Sequence, residues 1–151
     1  MNKNNEEEKL LVIHKLHLAD SEYRIKSAQY LILIAKCHMD LKDYSTSMRR
    51  SYEAIINTAR ALILLHDLSP KDDSDAVIEF EKLFVATGKI GEEFARYARE
   101  AWSGRSEAEL AAGLSDSSEK SESQCNRAAL FLAAAERFIS VNYSENGGAE
   151  K

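Results

Sequence analysis

Proline and glycine are scarce in this 151-residue chain, which has one proline and six glycines. Helices tolerate neither residue well in their interiors, so this scarcity favours long helices. No segment shows a convincing two-residue alternation of apolar and polar side chains, the pattern typical of a half-buried strand. We therefore predict an all-α fold with one hydrophobic core, the usual outcome at this chain length.

Cysteine is also rare, and long apolar runs are missing. Cys37 and Cys125 form no spacing motif, and we interpret them as two buried thiols in a reducing compartment. Apolar runs such as residues 30–35 are far shorter than the ~20 residues that a bilayer requires. The acidic N-terminus does not resemble a signal peptide. We expect a cytoplasmic protein without a membrane association.

The net charge of −5 argues against general coating of nucleic acids, because an acidic surface gains little attraction from a phosphate backbone. The net charge does not exclude a single local basic site that binds nucleic acid.

Five stretches carry apolar residues at spacings of three and four, which predicts five amphipathic helices. The predicted helices cover roughly residues 6–39, 43–67, 74–87, 91–104, and a last one that ends near residue 141. Gly88 is the predicted stop of the third helix, because glycine can take a positive φ. Residues 103–124 are rich in serine, glutamate and glycine, and residues 115–122 indicate a loop that leads into the last helix, with Asp116 or Ser118 as its cap. Whether the first helix is interrupted near residues 19–21, where Asp20 or Ser21 could cap a new helix, is open.

These elements predict an antiparallel up-and-down bundle of four to five helices. Residues 1–143 would form a single domain, and the polar residues 144–151 a disordered tail.

Two pairs of metal-capable residues lie in the first predicted helix. His14 and His17 share one helical face, and Cys37 is followed by His38. A zinc site needs about four converging ligands, but many helical turns separate the two pairs in a continuous helix. We therefore predict that these are partly exposed helix residues, and that the chain has no metal and no cofactor.

Arg60 and His66 are candidates for catalysis. Such a pair can cleave RNA without metal, with the histidine moving a proton and the arginine stabilising the charge of the phosphate. However, six positions at 100° per residue place the two side chains about 120° apart around the helix axis. The intervening residues 61–65 are all apolar, which indicates a buried segment. We therefore predict a structural role for both residues.

Arg105 is a candidate for ligand binding. It follows Gly104 at the predicted edge of a helix, and Glu107 and Glu109 are close enough in sequence to pair with it. We predict a surface site formed by Arg105 and Glu109.

The order of several segments resembles the HEPN domain family. The turn Asp40–Tyr44 and the Tyr- and Ala-rich segment Arg50–Leu62 look like the second helix of these domains, and Val77–Gly88 is similar to the next segment. Arg105–Leu110 looks like an Arg-x-x-Ala-Asp-Tyr stretch of small stand-alone HEPN proteins. The Ala-rich segment Cys125–Ile139 also fits, so that the resemblance covers roughly residues 20–140.

The resemblance implies a bundle that is often dimeric and encoded with a small nucleotidyltransferase in a toxin–antitoxin pair. Active members are metal-independent ribonucleases with an Arg-x(4–6)-His motif, late in the bundle where Arg105 stands here. At the matching positions this chain has Leu110, Ala111 and Ala112, and no histidine follows. A homodimer is also favoured by the abundant aromatic residues, and we predict Tyr97 and Trp102 at its interface.

The resulting functional hypothesis is a non-catalytic helical binding module. It would bind a partner protein, such as a nucleotidyltransferase, or a nucleotide or RNA end. The alternatives are a metal-independent ribonuclease toxin of a toxin–antitoxin pair and a structural adaptor without a small ligand.

Overall fold

A computed structural model describes residues 3–110 and 118–143 of the protein, without the side chains of residues 105–110. The described residues form helices and connecting turns and contain no strand, which confirms the all-α bundle. The helices are α1 (Lys3–Asp40), α2 (Tyr44–Leu64), α3 (Asp73–Phe80), α4 (Glu92–Leu110) and α5 (Ser118–Asn142), and a π-helical segment (Glu81–Val85) follows α3. The predicted tail, residues 144–151, lies outside the described residues.

α1 is one continuous helix of 38 residues, which settles the question of an interruption near residues 19–21. At 1.5 Å per residue it is about 57 Å long. Ser21 does not cap a new helix. Its side chain is buried, and its hydroxyl donates a hydrogen bond of 2.7 Å to the carbonyl oxygen of Ala61 in α2. Ser21 thus links α1 to α2 and does not cap a helix.

A tight turn reverses the chain between α1 and α2, as predicted for residues 40–43. Lys42 takes a positive φ of 63°, and the Asp43 carboxylate accepts a hydrogen bond of 3.3 Å from the backbone N–H of Thr46. α2 then runs through the centre of the bundle and packs against α1, α3, α4 and α5. It ends at Leu64, three residues before the predicted end, and Asp67 next takes a left-handed φ of 59°.

Aromatic side chains fill the space between α3, the π-helical segment and α5. The Phe80 ring lies 5.9 Å from the Phe84 ring and 5.0 Å from the Phe131 ring, measured between centroids. Phe84 also meets Phe138 edge-on at 5.4 Å. The segment ends at Val85, shortly before the predicted stop at Gly88, whose φ of +75° is one that L side chains rarely adopt.

The predicted end of the fourth helix near residue 104 is wrong, and the predicted loop over residues 115–122 extends too far into the last helix. α4 continues to Leu110, and α5 already begins at Ser118, while Asp116 lies outside the described residues. Gly104 is therefore inside a helix. A Cβ atom added at Gly104 would lie 2.7 Å from the phenol ring of Tyr52, so the missing side chain lets α4 approach α2 closely.

The two cysteines differ in their surroundings. Cys125 is buried, and burial raises the pKa of its thiol. Cys37 is exposed on α1, so the interpretation of two buried thiols is wrong for this residue. Both thiols are free. No helix in the described part of the chain is long and apolar enough to cross a membrane.

Candidate anion-binding site

Arg60 is held in place by the turn that leads into α3. Its Nε donates a hydrogen bond of 2.9 Å to the carboxylate of Asp73, and its Nη1 donates one of 3.3 Å to the carbonyl oxygen of Pro70. The side chain of Arg60 is only 15% exposed. Arg60 thus joins the central helix to the start of α3, while its guanidinium still reaches the edge of the bundle.

Arg24 of α1 brings a second guanidinium to the same place. Its Nη1 donates a hydrogen bond of 2.8 Å to the side-chain oxygen of Asn57. Burial and the positive charge of Arg60 lower the pKa of Arg24, while Asp73 and Asp20 act in the opposite direction. The two cations thus lie near each other in a partly desolvated space, where like charges repel.

A small pocket of about 220 Å³ lies between these arginines, and we call it the Arg24–Arg60 pocket. Its other lining residues are Asp20, Tyr23, Leu64, Ser69 and Pro70. Guanidinium groups match the geometry of phosphate and carboxylate oxygens. An anion in the pocket would relieve the repulsion between the two cations, whereas Asp20 and Asp73 limit how much negative charge the site accepts.

His66 has different neighbours from Arg60. Its ring packs edge-on against Phe84, with 5.0 Å between the ring centroids. Burial and the positive charge of Lys89 lower the pKa of His66, and Asp67 opposes this shift. His66 is not among the residues that line the Arg24–Arg60 pocket. The described contacts therefore do not bring the two catalytic candidates together within one subunit.

His14 and His17 meet a carboxylate that the sequence analysis did not single out. Nδ1 of His14 lies 3.0 Å from both carboxylate oxygens of Asp67, and Nδ1 of His17 lies 3.1 Å from Oδ1. Burial acts to raise the pKa of Asp67, but hydrogen bonds from the two histidines outweigh it and lower that pKa. Over residues 3–110 and 118–143, no group of three or more histidine, cysteine, aspartate or glutamate residues is arranged to hold a metal ion.

The predicted interface residues lie on α4 and are partly covered by their own chain. The Tyr97 ring meets Phe94 edge-on at 5.5 Å, and the guanidinium of Arg127 lies 4.9 Å from its centroid. Trp102 packs against the hydrophobic core. Arg105 and Glu109, the predicted ligand-binding pair, lie within α4, but their side chains fall outside the described residues.

Comparison with known proteins gives a sequence similarity that bears on function. No family model matches the chain. A segment of 96 residues is 25% identical to a protein of Methanocaldococcus jannaschii that carries the name "Putative toxin MJ0142". The match covers 64% of this chain and 65% of that protein, so the chain spans just under two thirds of its relative's length. The similarity relates the bundle to a protein named as a toxin and is compatible with a HEPN toxin.

Proposed function

We propose that this chain is a HEPN-type helical module of a toxin–antitoxin pair, and that it binds a phosphate-bearing ligand instead of cleaving RNA. The observation that carries this proposal is the Arg24–Arg60 pocket, which lacks a histidine among its lining residues. The ligand class is a nucleotide or the phosphorylated end of an RNA. A cytoplasmic location and one domain over residues 1–143 are parts of the same proposal.

The geometry of the pocket supports an anionic ligand. Contacts to Asp73 and Pro70 fix the guanidinium of Arg60, and Asn57 orients that of Arg24. Fixed donors lose little side-chain entropy when a ligand binds. The pocket is too small for a folded RNA, which favours a terminal phosphate or a single nucleotide as the group that enters it.

The partners in this proposal are a second protein, such as a nucleotidyltransferase acting as antitoxin, and a second copy of the chain. The similarity to a protein named as a toxin supports the antitoxin partner. Arg105 and Glu109 remain proposed as a further ligand-binding pair, and Tyr97 and Trp102 as residues that contact a partner.

Binding of a 5′-phosphorylated RNA oligonucleotide, measured by fluorescence anisotropy, tests the proposed site. We expect Arg24→Gln to weaken binding by about tenfold or more, because a charge-assisted hydrogen bond contributes about 1.5–3 kcal/mol. Arg99→Gln is the matched control, since Arg99 is an exposed arginine that pairs with Glu81 outside the pocket. Equal affinities of the natural chain and Arg24→Gln would refute the assignment of the pocket.

A second candidate function is a metal-independent ribonuclease toxin, and the name of the relative favours it. In this case Arg60, His66 or Arg105 would act across two subunits. RNA incubated with the protein and a chelator separates the candidates, with His66→Ala as the diagnostic variant. Cleavage that His66→Ala abolishes, together with growth arrest on expression of the natural chain, would replace the binding proposal. If the protein neither binds the RNA oligonucleotide nor cleaves RNA, the structural adaptor is the remaining candidate function.

A further inference from the structure

The first turns of α1 project beyond the rest of the bundle. His14 and His17 contact the turn at Asp67, and Leu18 is the first apolar residue of α1 that packs against the core. Residues 3–13, which we call the α1 overhang, are all exposed. At 1.5 Å per residue the overhang extends α1 by about 16 Å.

Apolar residues occupy the overhang although no core lies beneath them. Leu10, Leu11, Val12 and Ile13 are exposed by 66%, 54%, 56% and 46%. Ile13 precedes His17 by four residues and Leu10 precedes it by seven, so they continue the helical face that reaches Asp67. Four adjacent apolar side chains on a projecting helix are a typical mark of an interaction surface.

An acidic cluster precedes these apolar residues by one turn. Glu6, Glu7 and Glu8 are consecutive and exposed. Lys3 and Lys9 flank this cluster, so the overhang holds three carboxylates against two ammonium groups. A stretch with a net negative charge therefore precedes its apolar base, and this order limits the kind of surface that it fits.

An apolar groove with cationic lining residues lies between the turn before α4 and the last turns of α5. Its volume is about 630 Å³, and Phe94, Phe138 and Val141 give it an apolar floor. Lys89 and Arg137 are its charged lining residues, and no carboxylate lines it. Val141 is 68% exposed. The apolar floor matches the apolar base of the overhang, and the two cationic lining residues match its acidic cluster.

The groove and the overhang lie at the same end of the bundle. His66 adjoins Asp67, on which the base of the overhang rests, and the His66 ring contacts Phe84. Phe84 in turn contacts Phe138 of the groove, and the ammonium of Lys89 lies 5.9 Å from the Phe84 ring. Two copies that meet end to end can therefore exchange their overhangs reciprocally. Such a contact closes with two-fold symmetry and does not grow into a fibre.

We propose that the α1 overhang of a second copy of this chain occupies this groove, and that the two copies do so reciprocally. Leu10 and Ile13 pack on the apolar floor, and the acidic cluster meets Lys89 and Arg137. The overhang of the same chain cannot fill the groove, because α1 is a continuous helix whose first turns lie exposed. This inference goes beyond the proposed ligand binding and does not rest on it.

Charge reversal with rescue tests this dimer. One variant carries Lys89→Glu and Arg137→Glu, and the other carries Glu6→Lys, Glu7→Lys and Glu8→Lys. In sedimentation from about 1 to 100 μM, we expect the natural chain to reach twice its monomer mass of 16.9 kDa. Each variant alone should dissociate at least about tenfold more readily, because like charges then face each other at both contacts.

The equimolar mixture of the two variants should recover the dimer. In the mixed pair, an acidic overhang faces a basic groove at one contact, and a basic overhang faces an acidic groove at the other. The control variant carries Lys26→Glu and Lys36→Glu on the exposed face of α1 and should dimerise like the natural chain. Circular dichroism establishes that each variant is folded, and all of the reversed side chains are exposed.

Three outcomes would overturn the inference. The natural chain could stay monomeric over the whole concentration range, which would show that the overhang does not bind a second copy and would make a different protein its candidate partner. The two reversal variants could dimerise unchanged, which would move the interface to another surface such as that of Tyr97 and Trp102. The mixture could fail to recover a dimer that both variants had lost. RNA-binding affinity in the same variants reports separately on the Arg24–Arg60 pocket.

Discussion

Replacement of Ser47 by alanine is expected to cost much more stability than replacement of its hydrogen-bond partner Ser121. Ser47 is fully buried in α2, and its hydroxyl donates a hydrogen bond of 2.7 Å to the carbonyl oxygen of Ala35 in α1. The hydroxyl of Ser121 in α5 donates one of 2.8 Å to Ser47 Oγ and is also fully buried. The three helices are thus joined by one chain of hydrogen bonds in which Ser47 is the middle member.

The magnitudes follow from the direction of these bonds. Ser47→Ala removes two hydrogen bonds and leaves the hydroxyl of Ser121 in the core without its acceptor, a loss of about 2–4 kcal/mol in total. Ser121→Ala removes one hydrogen bond, and Ser47 still donates to Ala35, so we expect a loss of about 1 kcal/mol. In the double variant no hydroxyl is left without a partner, and its loss should fall short of the sum of the single losses by about 1 kcal/mol or more.

Urea denaturation followed by the fluorescence of the single tryptophan, Trp102, gives the four free energies of unfolding. Equal slopes of free energy against urea concentration in all four proteins are the control for comparable unfolded states. A loss in Ser121→Ala as large as that in Ser47→Ala would show that the hydroxyl chain is not directed as described. Strict additivity in the double variant would show that the two serines do not interact.

Two further predictions concern α4 and the end of α2. Gly104→Ala should lower the melting temperature, because overpacking against the buried ring of Tyr52 costs about 1–3 kcal/mol and exceeds the gain of about 1 kcal/mol in helix propensity; a higher melting temperature would contradict this contact. Burial and the positive charge of Lys89 lower the pKa of His66, so the unfolded chain binds a proton at this histidine more tightly than the folded chain does. The free energy of unfolding therefore decreases as the pH falls through the unfolded pKa of about 6.5. His66→Gln should remove this part of the pH dependence, and parallel stability curves of the two proteins between pH 5 and about 8 would refute it.

Helical periodicity predicted most of the fold because apolar stripes are local signals. The turn between α1 and α2 and the stop at Gly88 were also predicted, since turn residues act within a few positions. The continuation of α4 through Gly104 was not predicted. A glycine in sequence indicates a helix end, and only the contact with Tyr52, a residue distant in the chain, explains it within a helix.

The candidate site was less predictable than the fold. Helical periodicity predicted different directions for Arg60 and His66, but His66 follows the end of α2 at Leu64 and is placed by the turn. The neighbourhood of Arg24 and Arg60 depends on the register between α1 and α2, and no local pattern encodes that register. The same holds for Asp67, which meets His14 and His17 across about 50 positions of sequence.

The central position of α2 has a consequence for how the molecule opens. From Tyr44 to Leu64, every residue of this helix is buried or partly buried, and none is exposed. Solvent can reach its amide groups only when several surrounding helices separate at once, so their hydrogen exchange occurs through global unfolding. The first turns of α1 can instead fray without disturbing any other helix. One exchange experiment on the native protein would thus measure both the cost of complete unfolding and that of the smallest local opening.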